Sequence, residues 1–342
     1  MKAALLETWE HMSVTEIEKP EPAEGQVRIK MKYAGVCGSD ITVYSGKHPT
    51  ATAPVVVGHE IFGIVDAIGK NTVTDLKVGD RVTVDPLISC GHCEACRKGY
   101  RHVCSTLKLL GIHENGGYAE YTVADADMTI KISDDLSDEL AALAEPFAVG
   151  YHVVSRSGLK LGQTALIIGA GPIGMVIAVC ARGAGASRVI LSEPNAGRRA
   201  RAQALGFETV DPLATDVLAY AKEITDGNGF DVVFESSGSK AGILLTTNVC
   251  KIRGTIVPLS LSGVPVEFAL GAVSFKELSV VGSRVYSYTD FVGGVRFLER
   301  AAKEYDLTHI ISDVMPLSDA QQAIDSMKSG ANTGKILIKC SE

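Results

Sequence analysis

The chain of 342 residues has no long uninterrupted apolar segment. An apolar signal core is also missing from its N-terminal stretch, because Glu7, Glu10 and His11 interrupt it. The longest apolar stretch, ALIIGAGPIGMVIAVCARGAG, is broken by glycines and a proline. It therefore predicts a buried strand, a turn and a helix, not a membrane span. We expect a soluble, cytoplasmic protein without a membrane partner.

Positive charge is in deficit, with 33 lysines and arginines against 40 aspartates and glutamates. The resulting net charge of −7 argues against nucleic acid or an anionic membrane as the main partner. The sequence also contains no repeat of 20–50 residues and no low-complexity tract, which excludes a repeat protein. A small-molecule partner remains the natural expectation.

The texture of the sequence changes along the chain and predicts two domains. Residues 1–150 contain short alternating runs such as QVRIKMKYAGV and FGIVDAIG between turn residues, as in an irregular β-rich domain. From about Leu161, short apolar runs alternate with helix-patterned segments, which indicates βα units on a parallel sheet. This alternation stops near Val285. We predict a β-rich domain of residues 1–150 completed by 286–342, and a parallel-sheet domain of residues 151–285.

GAGPIG, residues 169–174, fits the G-x-G-x-x-G pattern of dinucleotide-binding loops. A strand-like TALII precedes it and a helix-like MVIAVCARGAG follows it, which is the required context. Gly169 permits the tight turn, Gly171 lets the backbone approach a pyrophosphate, and Gly174 lets helix and strand pack closely. Pro172 and Ile173 complete the loop, where the helix N-terminus supplies amide donors.

Glu193 ends the next strand-like run, nineteen residues after Gly174. A carboxylate there accepts hydrogen bonds from the ribose hydroxyls of NAD and repels a 2′-phosphate. Helix capping or solvation is the alternative role for Glu193. The nearby Arg198, Arg199 and Arg201 complicate the choice, because an arginine there favours NADP. We expect NAD, with Arg198 beside the cofactor.

Four of the eight cysteines lie in CGHCEACRKGYRHVC, at Cys90, Cys93, Cys96 and Cys104. Four thiolates so close together can close a tetrahedron around Zn²⁺ and leave no open position, which predicts a structural zinc. An iron–sulfur cluster lacks the usual proline-terminated cysteine run. The same cysteines could also be free thiols, or a redox switch that releases zinc on oxidation.

A second set of metal-binding residue types is spread over the sequence. Cys37 lies in GVCGSD, His59 and Glu60 follow each other in VVVGHEIFG, and Glu145 precedes Pro146. Mixed sulfur, nitrogen and oxygen ligands are typical of an open, catalytic zinc site. Taken singly, each residue also has a structural alternative: a small buried cysteine, a core histidine or a helix cap. Their combination with a dinucleotide loop and a four-cysteine loop favours the catalytic site.

On these motifs the sequence resembles the zinc-dependent medium-chain alcohol dehydrogenases, and within them the branch of sorbitol, polyol and butanediol dehydrogenases. The resemblance spans essentially the whole chain. It implies a GroES-like catalytic domain, a doubly wound Rossmann domain, zinc in the cleft between them, and a homo-oligomer, either dimer or tetramer. The motifs that carry it are GVCGSD, the GHE element, VGDRV, the four-cysteine loop, NGGYAEY, AEPFAVGYH, GAGPIG and KELSVVGSR.

The resemblance also implies roles for individual residues. Cys37 and His59 match the two constant ligands of the catalytic zinc. Glu145 matches the position where this branch has a glutamate and others a cysteine. Glu60 matches a glutamate that binds the zinc directly in some members and indirectly in others. Which of the two glutamates binds the resting zinc stays open.

Three further positions concern the substrate and its proton. Ser39 matches a hydroxyl that hydrogen-bonds the substrate alcohol and begins a proton relay, and Arg284 matches a position near nicotinamide and substrate. The family often has a histidine two residues after the aspartate of GVCGSD, where this chain has Thr42. We therefore expect a relay that is shorter, that runs through water and ribose hydroxyls, or that uses another group such as His48.

We expect an enzyme with two zinc ions and NAD that oxidises a secondary hydroxyl of a polyol, a sugar acid or a vicinal diol. A carboxylate ligand makes the zinc site harder and favours several substrate oxygens, and the low aromatic content of 6% fits a polar pocket. Sugar acids would need a cation such as Arg284 or Lys47. A threonine-type amino alcohol is the competing substrate class. A non-catalytic dinucleotide sensor or a zinc-free reductase is the competing type of protein.

Overall fold

The computed structural model describes residues 1–260 and 265–341. Two compact units are present. The first comprises Met1–Glu145, Ser287–Ala302 and Ile311–Glu342, and the second comprises Pro146–Tyr286 and Lys303–Ile310. The domain boundaries drawn from sequence, at 150/151 and 285/286, stay predictions. Within the described ranges, no helix is both long and apolar enough to cross a membrane.

The N-terminal part of the first unit is built mainly from short strands. Its strands are β1 Lys2–Thr8, β2 His11–Glu16, β3 Gln26–Gly35, β4 Val55–Val56, β5 Glu60–Ile68, β6 Arg81–Val84, β7 Leu87–Ile88, β8 Lys108–Leu109, β9 Tyr121–Asp125 and β10 Thr129–Lys131. Its helices are α1 Gly38–Tyr44, α2 Glu94–Arg97, α3 Asp138–Ala141 and the start of α4 Ala144–Ser157, with 3₁₀ turns at Arg101–Val103 and Ala126–Met128.

The second unit alternates strands and helices. Its elements after α4 are β11 Thr164–Ile168, α5 Pro172–Gly183, β12 Arg188–Ser192, α6 Ala196–Ala204, β13 Glu208–Val210, α7 Val217–Ile224, β14 Phe230–Glu235, α8 Lys240–Val249, β15 Cys250–Pro258, α9 Leu270–Phe275, β16 Ser279–Val280 and a 3₁₀ turn at Leu307–Ile310. The six strands form one parallel sheet in the order β13-β12-β11-β14-β15-β16. This order reverses direction between β11 and β14, as in a doubly wound nucleotide-binding sheet.

The C-terminal segment returns to the first unit. It contributes α10 Tyr288–Ala301, β17 Ile311–Pro316, a 3₁₀ turn at Leu317–Asp319, α11 Ala320–Ser329 and β18 Lys335–Lys339. β18 pairs antiparallel with the end of β3, while β9 pairs with the start of β3. The sheet therefore runs β10-β6-β5-β3-β18-β17, with β9 beside β3.

The central strand β3 shows why this sheet forms. Along QVRIKMKYAG, Val27, Ile29 and Met31 are buried and alternate with half-buried polar residues. Such alternation places one face of the strand against an apolar core. The core side chains come from β1, β3 and β5, and Ile336 and Ile338 of β18 join them. The last strand of the chain is thus held firmly beside the third.

Candidate functional site

Three neighbouring strands of the first unit bring the candidate catalytic residues together. Glu60 opens β5 and lies opposite Gly35 at the end of β3. Cys37 follows β3 by two residues, and β18, which opens at Lys335, pairs with this end of β3 through Leu337 and Gly35. The order β5-β3-β18 therefore places a thiol, a carboxylate and an ammonium at one end of adjacent strands.

The ligand atoms of Cys37, His59 and Glu60 lie within 4.8 Å of one another. In a tetrahedral zinc site with bonds of roughly 2.0–2.3 Å, the ligand atoms lie within about 4 Å of each other. Small shifts of these three side chains would therefore bring their ligand atoms to zinc-binding distance. His59 and Glu60 are buried, whereas Cys37 is half-buried. Glu145 is also buried, in the first turn of α4, but does not belong to this group.

Asp40 and Ser39 flank the two ring nitrogens of His59. Nδ1 lies 3.2 Å from Asp40 Oδ1, and Nε2 lies 3.4 Å from Ser39 Oγ. A carboxylate at Nδ1 favours the tautomer that leaves Nε2 available to a metal. Burial lowers the pKa of His59, but Asp40 and then Cys37 raise it further, so this pKa lies well above its usual value.

Asp40 is in turn held from two directions. Its Oδ2 accepts from the Cys37 backbone N–H at 2.9 Å and from the Tyr118 hydroxyl at 3.0 Å. Asp40 and Tyr118 are fully buried. Burial is the main reason why the pKa of Tyr118 lies well above its usual value, so its hydroxyl remains a donor at neutral pH. A chain of contacts thus runs from Tyr118 through Asp40 to His59.

Lys335 lies on the other side of the group. Its Nζ donates to Glu60 Oε1 at 2.5 Å and to the Val36 carbonyl at 3.0 Å. Burial lowers the pKa of Lys335, but Glu60 and Cys37 raise it further, so this pKa lies above its usual value. Lys335 is therefore charged at neutral pH.

Several buried polar atoms here have no hydrogen-bond partner among the residues that the structure describes. They are Asp40 Oδ1, His59 Nδ1 and Glu60 Oε2. The first two lie close together but not in hydrogen-bonding orientation. Glu60 Oε2 has no such neighbour, and an unsatisfied buried carboxylate oxygen beside a thiol and an imidazole is costly without a ligand. This group of atoms fits a zinc ion.

The four-cysteine loop forms a second, local cluster. Its four Sγ atoms also lie within 4.8 Å of one another, and none is in a disulfide. Backbone N–H groups point at the sulfurs: Cys90 donates to Cys104 Sγ at 3.4 Å, and Cys93 donates to Cys90 Sγ at 3.4 Å. The N–H of Cys96 completes the pattern on Cys93 Sγ at 3.5 Å. Such donors stabilise thiolates, so this cluster fits a closed four-sulfur zinc site.

The glycine-rich loop lies between β11 and α5 in the second unit. Gly169 has φ of +105°, and a Cβ at Gly174 would stand 2.1 Å from the Gly169 carbonyl oxygen. Both positions therefore require glycine. A Cβ at Gly171 would meet nothing within 4 Å, which leaves open space beside the first turn of α5. Pro172 and Ile173 begin that helix. Open space at a helix N-terminus fits a pyrophosphate.

Glu193 follows β12 and is 4% exposed. Its carboxylate accepts from the N–H groups of Ala170 at 2.8 Å and Asn195 at 2.9 Å, so it lies beside the glycine-rich loop. Arg199 is engaged elsewhere, by Asp211 at 2.9 Å and by backbone carbonyls. Arg198 lies in the first turn of α6, where its N–H donates to the Asn195 side chain.

The remaining sequence-predicted positions have diverse settings. Arg284 is exposed, in the segment between β16 and α10. Thr42 is exposed and donates to the Gly38 carbonyl of its own helix at 3.3 Å. His48 accepts from the Ala51 N–H at 3.1 Å and lies edge-on to His113, with ring centroids 5.5 Å apart.

Sequence reasoning missed three buried polar residues around the first cluster: Asp40, Tyr118 and Lys335. Asp40 was visible within GVCGSD, three residues after Cys37, but its carboxylate had no assigned role. Tyr118 lies in NGGYAEY, where its aromatic ring is typical of a core residue. Lys335 immediately precedes the apolar run ILI of the final strand, where a lysine is typical of an exposed strand end, so nothing in the sequence indicates that it is buried. The side-chain contacts of the folded chain reveal them.

Known proteins match both units. Residues 23–134 match the alcohol dehydrogenase GroES-like domain, and residues 172–300 match the zinc-binding dehydrogenase domain. The chain is 37% identical over 320 residues to the 2-dehydro-3-deoxy-L-galactonate 5-dehydrogenase of Pseudoalteromonas atlantica, an alignment that covers 93% of each protein.

Solved structures agree. A zinc-binding dehydrogenase from Sinorhizobium meliloti bound to NADP has 34% identity and a TM-score of 0.90, covering 99% of this chain and 98% of that one. The 2R,3R-butanediol dehydrogenase of Bacillus subtilis has 31% identity and a TM-score of 0.90, covering 99% of each chain. These matches confirm the expected fold class, a GroES-like catalytic domain with a Rossmann domain. The chain belongs to the zinc-type medium-chain alcohol dehydrogenases.

Proposed function

We propose that this chain oxidises a secondary hydroxyl of a polyol, a sugar acid or a vicinal diol to a ketone, with zinc and NAD⁺. The observation that carries the proposal is the largely buried group of Cys37, His59 and Glu60, in which a carboxylate oxygen has no hydrogen-bond partner in the described part of the chain. Ser39 lies next to Nε2 of this histidine. A non-catalytic dinucleotide sensor would not need this arrangement.

Cys37, His59 and either Glu60 or Glu145 would hold the catalytic zinc. When bound, the ion supplies Lewis acidity that lowers the pKa of a coordinated hydroxyl. Asp40, 3.2 Å from Nδ1 of His59, would keep Nε2 directed at the metal position, and Ser39 Oγ would accept the substrate proton as it passes its own proton on. Because Thr42 donates within its own helix, the proton would leave Ser39 through water and ribose hydroxyls, with His48 as the alternative acceptor.

Gly169, Gly171, Pro172, Ile173 and Gly174 would bind the pyrophosphate of the dinucleotide, which supplies the hydride acceptor when bound. NAD is favoured because Glu193 is buried and fixed beside the loop by two N–H donors.

A 2′-phosphate would meet the carboxylate of Glu193, so NADP would bind less well. Arg198 would flank the adenosine end of NAD, and the exposed Arg284 would lie near nicotinamide and substrate.

Cys90, Cys93, Cys96 and Cys104 would bind the second, structural zinc. Four sulfur ligands leave no coordination position for substrate, so this ion would hold the loop in shape.

The substrate class follows from the ligand chemistry and from the relatives. A carboxylate ligand favours oxygen-rich substrates. One relative is named for a sugar acid and one solved neighbour for a diol, and both act on hydroxyl groups by their names. A sugar acid would need a cation for its carboxylate, for which Arg284 and Lys47 are the candidates.

We further propose that the protein works in the cytoplasm as a homo-oligomer, either dimer or tetramer. Eight free cysteines fit a reducing compartment. β16 is an edge strand of the parallel sheet, and its Val280 is exposed, which favours pairing with a second copy. Light scattering of the purified protein would test this assembly.

The test of function is NADH formation at alkaline pH with a panel of polyols, vicinal diols, sugar acids and threonine, repeated with NADP⁺. We expect turnover with at least one polyol, diol or sugar acid and a preference for NAD⁺. Glu193→Gln should reduce this preference roughly 10-fold, since it removes the charge that repels a 2′-phosphate. Turnover of threonine alone, or of no substrate by protein that holds two zinc ions, would refute the proposed substrate class.

A further inference from the structure

A buried ammonium group lies beside the proposed catalytic metal site. Lys335 is 3% exposed, and its Nζ contacts Glu60 Oε1 at 2.5 Å and the Val36 carbonyl at 3.0 Å. A lysine is rarely buried unless it is paired, because desolvating its charge is costly. A lysine at this position therefore calls for an explanation beyond the packing of β18.

The two oxygens of Glu60 have different surroundings. Oε1 accepts from Lys335, whereas Oε2 is buried and has no hydrogen-bond partner within residues 1–260 and 265–341. Oε2 lies 1.8 Å from the position that a Cβ on Gly35 would occupy, so only glycine there leaves room for the carboxylate. One neighbouring strand thus makes space for Glu60 and another fixes one of its oxygens.

The positive charge of Lys335 also affects the electrostatics of the site. Cys37 as a thiolate, Glu60, Asp40 and Glu145 would bring four negative charges to one buried region. A divalent zinc ion offsets two of them, and Lys335 offsets a third. Without the lysine, the net negative charge would be larger in a region of low dielectric constant, where it is expensive.

We infer that Lys335 is a positioning residue of the catalytic metal site: it holds one oxygen of Glu60, leaves the other for the ion, and offsets negative charge around the ligands. The inference rests on the proposed function, because it requires zinc at Cys37, His59 and Glu60. It assigns Lys335 no contact with substrate.

The experiment replaces Lys335 by methionine, which keeps a long buried side chain without charge. Lys335→Arg is the conservative rescue, and Lys339→Met is the matched control, because Lys339 is an exposed residue of the same strand. Zinc release to a chromogenic chelator is timed for each protein. The visible absorption spectrum of the Co²⁺-substituted proteins then reports the geometry at the metal.

We expect Lys335→Met to release one zinc roughly 10- to 100-fold faster than the unsubstituted protein, the range seen when groups that orient metal ligands are lost. The other zinc, in the four-cysteine loop, should leave at its normal rate. The cobalt bands of Lys335→Met should shift, whereas Lys335→Arg and Lys339→Met should resemble the unsubstituted protein in both measurements.

The outcomes separate this inference from the proposed function. Fewer than two zinc ions in the unsubstituted protein would refute the function itself. Two zinc ions there, with normal release and an unchanged cobalt spectrum in Lys335→Met, would overturn the inference alone. If Lys335→Met does not fold, Lys335→Leu takes its place, because it also removes both the donor to Glu60 and the charge. The same two results then decide.

Discussion

The two clusters of metal-binding residues in the first unit are built in opposite ways. The four-cysteine loop is local: its ligands lie between Cys90 and Cys104, and the N–H groups of the same loop point at their sulfurs. Three of its four cysteines are half-buried. The group of Cys37, His59 and Glu60 instead lies at one end of three paired strands, and buried charges surround it.

This difference shows what holds each cluster together. The loop has short elements, α2 and a 3₁₀ turn, and little apolar surface of its own, so a metal would contribute directly to its folding. The strands β5, β3 and β18 are held by hydrogen bonds and by a large apolar core that exists without a metal. We expect loss of metal to unfold the first cluster and to inactivate the second.

The largest effect should come from Cys37→Ala. Removing this ligand should lower kcat/KM by at least ~10³-fold, because Lewis-acid activation of the hydroxyl is lost. Zinc content should fall by one ion per chain, while the thermal unfolding midpoint changes little. Metal analysis, steady-state kinetics and circular dichroism check these points.

Cys340→Ala is the control for Cys37→Ala, since Cys340 is a buried cysteine outside both clusters. It should keep both zinc ions and its activity. Full activity in Cys37→Ala would contradict the assignment of the Cys37 cluster as catalytic and the four-cysteine cluster as structural.

The next effect concerns stability. Cys96→Ser should release the structural zinc and lower the thermal unfolding midpoint by roughly 5–10 °C, because metal binding free energy becomes folding free energy in such loops. The zinc at Cys37 should stay bound. An unchanged midpoint after loss of one zinc would show that the loop folds without the ion.

A smaller effect should follow from Tyr118→Phe, which removes one hydrogen bond to Asp40 and nothing from the ligand set. Because Asp40 lies 3.2 Å from His59 Nδ1 and would orient that ring once zinc is bound, affinity for the catalytic zinc should fall roughly 10-fold. Competition with a chelator measures this affinity. Tyr44→Phe is the matched control: Tyr44 is also buried, and its hydroxyl donates to the Glu10 carbonyl. Equal affinities in the two variants would contradict a role for Tyr118.

The smallest effect is a pH limit for the structural zinc. The N–H groups of Cys96 and Ser105 lower the pKa of Cys93 to about 5, whereas burial and the contact with Cys93 raise the pKa of Cys96 to about 11. Because an unfolded cysteine has a pKa of about 8.5, the Cys93 thiolate contributes stability above that value, and this contribution is lost as the pH falls through 5. Acid should therefore displace zinc from Cys96 first, and release should be complete once the pH falls below about 5. Retention of this zinc well below pH 5, followed with a chelator, would contradict this.

The same contrast explains what the sequence could predict. The four-cysteine loop and GAGPIG are each one short continuous segment, so the spacing of their residues was enough to identify them. In the structure the four sulfurs lie close to one another, and the glycines form a tight turn. Cys37, His59 and Glu60 needed the family resemblance, because each type of residue also occurs in ordinary cores.

The surroundings of the catalytic group could not be predicted from spacing. Lys335 reaches Glu60 across 275 residues, and Tyr118 reaches Asp40 across 78. Contacts of this kind depend on strand order and register, and a shift of one residue would turn every side chain to the other face. The role of Glu145 could not be predicted for the same reason. Its position in the first turn of α4 follows from the neighbouring sequence, but its distance from a metal depends on how the chain folds.

The most direct measurement is X-ray diffraction from crystals of the purified protein at wavelengths on either side of the zinc absorption edge. We expect two anomalous peaks per chain, one among the four cysteines and one bonded to Cys37, His59 and a glutamate oxygen. A single peak in the four-cysteine loop, with nothing at Cys37 and His59 in protein that oxidises its substrate, would contradict zinc catalysis at this site.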